Sequence, residues 1–292
     1  MVKQFYPFQS HFLDRDGLRY HYLDEGSGEP VVMVHGNPSW SFYYRNLALD
    51  LRDSHRVVVP DHIGCGLSDK PGDERYTYTL ESRTADLTAL LDHLSLTKDL
   101  TLVLHDWGGM IGLLYACRHP ERIKRLVLLN TSGFRLPATK PLPLALKLGR
   151  NTRVGEWLIR RLNAFARCAA YIGCKANPMS ATLRRDYCAP YDNWDNRIAV
   201  ARFVQDIPLR EGDPAYAAVM EVEAGLENLA KVPAQIIWGE KDFVFDRHFL
   251  AEWRKRWPHA QYHTFPEAGH YVLEDVGSRV IPLIREFLKT TT

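Results

Sequence analysis

With 292 residues, 46% apolar and 25% charged, the chain is long enough to bury a large core, and its composition excludes the disordered and fibrous classes. A net charge of +2 argues against nucleic acid as a partner, which usually needs a concentrated basic face. No apolar run reaches the roughly 18 to 20 residues that span a bilayer, and Met1 to Ser10 lacks a charged segment followed by an apolar one, so the expected location is the cytoplasm.

Ser10 to Asp14 and Leu18 to Leu23 alternate in polarity around the turn Asp16-Gly17, which predicts a hairpin at a sheet edge. Short runs rich in Val, Leu and Ile follow, at Val31 to Val34, Arg56 to Val59, Leu100 to Leu104, Arg125 to Leu129 and Gln235 to Trp238, most of them separated by helix-length segments. Continuous apolar strands alternating with helices predict a mostly parallel sheet covered on both faces.

His35-Gly36-Asn37-Pro38 follows the first of these strands and places a backbone N–H and the Asn37 amide at the rim of the sheet. Asp61 to Ser68 reads as a turn held by Asp and Gly contacts, without chemistry of its own. His35 and His105 read as packing residues, the latter pointing away from the Asp106 side by strand alternation.

The most informative stretch is Leu102 to Gly112, where an apolar strand runs into His105-Asp106-Trp107-Gly108-Gly109 and then into a helical pattern ending near His119-Pro120. A nucleophile on such a tight strand-to-helix turn projects above the sheet, with Gly108 and Gly109 letting the backbone bend. The residue at the tip is Asp106. A carboxylate there forms an ester with the carbon it attacks, which suits displacement at an electrophilic sp³ carbon or opening of a strained ring. The Trp107 backbone and indole N–H groups, with those of Asn37, make a candidate pocket of donors for an anion.

From Thr131 to Asn228 the strand rhythm stops, and the segment reads as helices broken at Pro137, Pro141, Pro143, Pro178, Pro190 and Pro208. Lying between two strands, it is expected to be an inserted helical cap (131–228) that splits the core into 1–130 and 229–292. Leu142, Leu144, Leu146, Leu148, Trp157, Leu158, Phe165, Trp194 and Phe203 are its candidates for lining an apolar channel. Thr131 to Arg210 holds 14 Lys and Arg against 5 Asp and Glu, read either as solvated helix faces or as a surface for an acidic protein or an anionic membrane. The five cysteines, odd in number and irregularly spaced, read as buried packing residues.

The α/β pattern resumes at Ala234, with a helix from about Arg247 to Trp257, a strand near Gln261 to Phe265 and a final helix. Asp242 ends the first of these strands and His270 follows the last, completing the order nucleophile, acid, base. Asp242 then fixes the tautomer of His270, and His270 activates water or moves a proton near Asp106. No phosphate loop, dinucleotide fingerprint or metal-ligand cluster is evident, so neither cofactor nor metal is expected.

These residues resemble the α/β-hydrolase superfamily, and within it the haloalkane dehalogenases and epoxide hydrolases with an Asp nucleophile. The resemblance implies an α/β-hydrolase fold, a triad of Asp106, His270 and Asp242, and an anion-stabilising pair of Asn37 and Trp107. Leu104 departs from the pattern, standing where many members have a small residue. Asn130 stands where some dehalogenases place the catalytic acid, and Asn cannot be that acid. His35 to Ser41, Pro60 to Pro71, Leu148 to Asn163, Ala189 to Pro208 and Trp238 to Leu250 further resemble the β-lactone decarboxylases of bacterial long-chain olefin biosynthesis. That implies conversion of a hydrophobic cis-3,4-dialkyl-2-oxetanone into a cis alkene and carbon dioxide, beside a β-lactone synthetase that could join it in an assembly through the basic cap. Haloalkane dehalogenation, epoxide hydrolysis aided by Tyr171, Tyr187, Tyr191 or Tyr216, and a non-catalytic ligand receptor stay open as alternatives.

Overall fold

The structure, a computed structural model, describes residues 6–291. Residues 1–5, on which the reading of the chain start partly rests, lie outside the described residues. Eight strands form one sheet: β1 (His11–Arg15), β2 (Leu18–Glu25), β3 (Pro30–Val34), β4 (Arg56–Pro60), β5 (Leu100–Asp106), β6 (Ile123–Thr131), β7 (Ala234–Gly239) and β8 (Gln261–Phe265). Their order is β1-β2-β4-β3-β5-β6-β7-β8. The β1–β2 hairpin and the β2–β4 pair are antiparallel, and every other pairing is parallel.

The strand residues sort themselves onto two faces by simple alternation. Val32, Val34, Leu102, Leu104, Leu126, Leu128, Ile236 and Trp238 enter one core. Their neighbours Val31, Met33, Val103, Val127, Leu129 and Ile237 enter the other. Both faces are covered, which is why these strands read as unbroken apolar runs.

Twelve α-helices follow in chain order among the described residues: α1 (Arg45–Leu51), α2 (Leu80–His93), α3 (Trp107–Arg118), α4 (Leu144–Asn151), α5 (Arg153–Leu162), α6 (Ala164–Ile172), α7 (Ala181–Cys188), α8 (Ile198–Gln205), α9 (Tyr216–Gly225), α10 (Arg247–Arg256), α11 (Val272–Asp275) and α12 (Gly277–Thr290). The first core is closed by α2, α3, α9 and α10 through Leu87, Leu114, Val222 and Trp253. The second is closed by α1 and α12 through Leu47, Leu51, Ile284 and Phe287. Helices α4 to α9 fall between the neighbouring strands β6 and β7. This insertion carries a small core of its own, around Leu146, Ile159, Tyr191 and Val204. Ile198, Ala199 and Phe203 of α8 anchor it to the first core.

One packing expectation is corrected. Cys65 and Cys174 are buried, but Cys117 and Cys188 are half-buried and Cys168 is exposed. Cys168 lies on α6, whose inward stripe is Ala166, Ala169 and Ala170, so helical periodicity turns it to solvent. No helix among the described residues is long and apolar enough to cross a membrane.

Candidate active site

Strand order reverses between β3 and β5, and the crevice beyond the carboxyl ends of these two strands is where such a sheet leaves room for a ligand. Asp106 stands there, the last residue of β5 and the residue before α3, with φ 53° and ψ −127°. A non-glycine residue in this region is strained, and it persists because the surrounding strands and helix over-determine it. The expected role of Gly108 and Gly109 changes accordingly, since the positive φ belongs to Asp106 itself. These glycines allow close approach instead: a Cβ on Gly108 would lie 1.9 Å from the Val34 carbonyl oxygen.

The Asp106 carboxylate is divided between two tasks. Oδ1 accepts the Asn37 backbone N–H at 2.6 Å, and the Trp107 backbone N–H also bonds this carboxylate. Gly36 lies so near that a side chain there would collide with it. Oδ2 faces His270, whose Nε2 is 3.7 Å away. Burial lifts the Asp106 carboxyl to about 6, while His270 and the two backbone N–H groups act in the opposite direction.

His270 follows β8, and its Nδ1 lies 2.8 Å from Asp242 Oδ2. Burial alone lowers the basicity of an imidazole, yet Asp242 on one side and Asp106 on the other raise His270 above its ordinary value. Asp242 is itself held: Oδ1 accepts the Val244 N–H at 2.7 Å, and Oδ2 also accepts an N–H from the Asn130 amide at 2.9 Å. The three residues expected to share chemistry are thus brought together.

Asn130 was set aside in the sequence only as a residue unable to serve as the acid. In the pairing of β5 with β6, His105 faces Leu129 while Asp106 faces Thr131, so Asn130 is the extra residue of a bulge, with φ 35°. The bulge re-aims its side chain, which donates to Asp242 and Gly239 O and accepts the Gly239 N–H at 2.8 Å. The only signal in the sequence was an Asn, tolerant of positive φ, at the end of an apolar strand.

The expected donor pocket is corrected in part. Both backbone N–H groups serve the Asp106 carboxylate and are spent. The Asn37 side chain gives one N–H to Val200 O of the insertion at 3.2 Å. What remains for an anion is the other Asn37 N–H and the Trp107 indole, both residues lining the cavity over Asp106.

His35 and His105 are packing residues, as expected. His35 Nδ1 donates to Gly36 O at 2.8 Å, and the neighbouring Asp61 is bound by His21, the Ser41 N–H and the Leu67 N–H. His105 Nε2 donates to the His270 carbonyl at 3.0 Å, and burial holds its basicity far below that of a free imidazole.

The cavity is lined by Leu142, Leu146 and Phe165 of the insertion and by Phe243, Phe245 and Phe249 of the segment that follows β7. Of the nine channel candidates only those first three reach it. Phe203 packs against Trp107, while Leu144, Leu148 and Trp157 are exposed on outward helix faces, Trp194 is exposed in the bend before α8, and Leu158 does not reach it. No candidate tyrosine serves the cavity. Tyr187 donates to Glu274, Tyr191 donates to Ser39 O, Tyr171 is exposed, and Tyr216 lines a different cleft.

Residues 29–275 match the family model described as alpha/beta hydrolase fold. The chain is 58% identical to the cis-3-alkyl-4-alkyloxetan-2-one decarboxylase of Shewanella oneidensis, covering 100% of this chain and 92% of that protein. It is 49% identical to the decarboxylase of the same name from Xanthomonas campestris pv. campestris, covering 97% of each. Among solved structures, the haloalkane dehalogenase DatA from Agrobacterium tumefaciens C58 superposes with a TM-score of 0.86 at 24% identity, covering 97% of each chain, and so shares the fold. The chain belongs to the α/β-hydrolase family and, inside it, to the group of the cis-3-alkyl-4-alkyloxetan-2-one decarboxylases.

Proposed function

We propose that the protein converts cis-3,4-dialkyl-2-oxetanones into cis alkenes and carbon dioxide, with Asp106 as the nucleophile. The observation that carries this reading is the 58% identity to a decarboxylase of that name, over an alignment that spans the insertion as well as the core. A shared fold alone leaves the reaction open, so identity of this size over the full length bears on substrate.

In this mechanism Asp106 Oδ2 attacks the ring carbon that carries the ring oxygen. The carbon–oxygen bond breaks with inversion, and the freed carboxylate is held by the Asn37 amide and the Trp107 indole. The bond between that carboxylate and its carbon then supplies the electron pair of the new double bond. Carbon dioxide leaves, and the ester bond to Asp106 breaks. Inversion followed by anti elimination keeps the cis arrangement, and no water is consumed. His270, held by Asp242, steadies Asp106 as its charge is spent and regained. Residues 131–228 act as a cap that keeps water from the ester. The protein works in the cytoplasm, and a β-lactone synthetase supplies its substrate and is its candidate partner in an assembly.

Haloalkane dehalogenation shares the first step and would require water to hydrolyse the ester. The test is to supply a dialkyl β-lactone and a panel of haloalkanes and to measure alkene, carbon dioxide and halide. Stoichiometric cis alkene and carbon dioxide, lost in Asp106→Ala, is the expected result; halide release without alkene overturns it. Trapping an intermediate in a His270 variant identifies the carbon bonded to Asp106, and an acyl linkage contradicts attack at the ring carbon.

A further inference from the structure

Three consecutive helices of the insertion present a surface that the reaction does not use. On α4, Leu144, Lys147 and Leu148 face solvent while Leu146 and Gly149 are buried. On α5, Arg153, Val154, Trp157 and Arg161 face out while Gly155 and Ile159 face in. On α6, Arg167 and Tyr171 face out while Ala166 and Ala170 face in. The helices pack in chain order, α4 on α5 and α5 on α6, so their outer faces adjoin. Leu144 is 81% exposed, Val154 62%, Tyr171 61% and Trp157 48%, so these large apolar side chains forgo about half or more of the benefit of burial. Exposed apolar surface on this scale marks a place where something docks.

The charges identify the occupant. Lys147, Arg153, Arg161 and Arg167 form no ion pair among the described residues. The one carboxylate on these helices, Glu156, is turned inward and bound by Arg160 and Arg202. Cations therefore alternate with apolar side chains within single turns. The cores of protein interfaces are depleted of charge, whereas helices lying in a bilayer surface show this interleaving, with long cationic side chains reaching up to phosphates.

We infer that the outer faces of α4, α5 and α6 dock on an anionic lipid bilayer, with Leu144, Leu148, Val154, Trp157 and Tyr171 at the acyl–headgroup boundary and the four cations on lipid phosphates. The inner sides of the same segment, through Leu142, Leu146 and Phe165, line the cavity over Asp106. A docked cap sets that cavity one helix layer from the lipid, so an apolar substrate passes between them without crossing bulk water.

The test is co-sedimentation of the full chain with vesicles of phosphatidylcholine alone and with vesicles in which a third of the lipid is phosphatidylglycerol. Binding to the anionic vesicles is expected, weakening at high salt. The triple variant Lys147→Gln, Arg153→Gln, Arg161→Gln is expected to bind roughly a hundredfold more weakly, about fivefold per cation. The pair Leu144→Ser and Trp157→Ser is expected to lose binding with unchanged circular dichroism. No sedimentation of the wild type with either vesicle, the outcome if this face meets an acidic protein instead, overturns the proposal; so does wild-type affinity in both variants. Vesicle binding is read without turnover, so it stands apart from the reaction proposed above.

Discussion

The Asn130 amide nitrogen and His270 Nδ1 converge on one oxygen, Asp242 Oδ2, at 2.9 and 2.8 Å. With Oδ1 taken by the Val244 N–H, both oxygens of this buried carboxylate are held in place, which fixes the direction from which the imidazole meets it. Asn130→Ala is therefore expected to lower kcat by about tenfold to a hundredfold, in line with the loss of a residue orienting a reacting group. The same change costs about 1 to 3 kcal/mol of stability, because the Gly239 N–H and one lone pair of Asp242 lose their partner. A kinetic pH profile separates the two effects: a structural role alone leaves its inflections in place, whereas loosening of the His270–Asp242 pair moves them.

Asp106 is destabilising when ionised. Its folded-state value of about 6 lies above the ordinary carboxylate value of 3.8, so the fold favours the protonated acid. Stability is then fully present below the unfolded value and is lost as pH rises toward the folded one. Asp106→Asn keeps an oxygen for the Asn37 and Trp107 N–H groups and removes the charge. Urea unfolding is expected to show the variant more stable at pH 8 by at most about 3 kcal/mol, with the gain vanishing near pH 4. A gain that grows on acidification contradicts this. The variant is also expected to be inactive, with mass spectrometry excluding deamidation back to Asp.

As the proposed nucleophile, the same acid is expected to set the low-pH limit of turnover. Attack needs the carboxylate, so kcat/KM is expected to fall tenfold per unit of pH below about 6. A flat profile between pH 7 and pH 4 is the result that removes Asp106 from the chemistry.

Trp107→Phe tests the proposed anion site, since it keeps an aromatic ring against Phe203, 5.5 Å away between centroids, and removes the indole N–H. A fall in kcat of about a hundredfold is expected, the usual effect of removing one donor from a developing anion. The melting temperature should move by only a few degrees, and an unchanged kcat assigns the anion elsewhere.

Leu104 and Gly112 form a matched pair across the elbow. A Cβ at position 112 would meet Leu104 Cδ2 at 2.3 Å. Gly112→Ala is expected to destabilise by about 1 to 3 kcal/mol despite the better helix propensity of Ala. Leu104→Val in the same chain should recover part of that loss, and a double-mutant cycle by chemical unfolding measures the coupling. Additive effects disprove the pairing.

Much of this architecture is legible in the residues because it is local. Each apolar run became a strand, Asp16-Gly17 turned the edge hairpin, and Asp106 ends β5 while Asp242 and His270 stand in the loops that follow β7 and β8, because their neighbours in sequence dictate where strands end. What escaped depends on partners distant in sequence. The bulge that aims Asn130 exists only in register with β5, and Gly112 matters only because Leu104 lies across from it. The channel residues escaped for a related reason. Leu144 and Leu146 are alike in chemistry, and only the seating of α4 decides that one meets solvent and the other the cavity.

Because β6 and β7 are neighbours in the sheet, the long excursion between them leaves and re-enters at adjoining points. Joining those two points makes little demand on the length or shape of what is joined, since closure entropy grows only slowly with the size of a loop. The roof of the pocket can thus be traded between lineages as a graft while its floor stays intact. Exchanging residues 131–228 with those of a dehalogenase is the laboratory form of that trade.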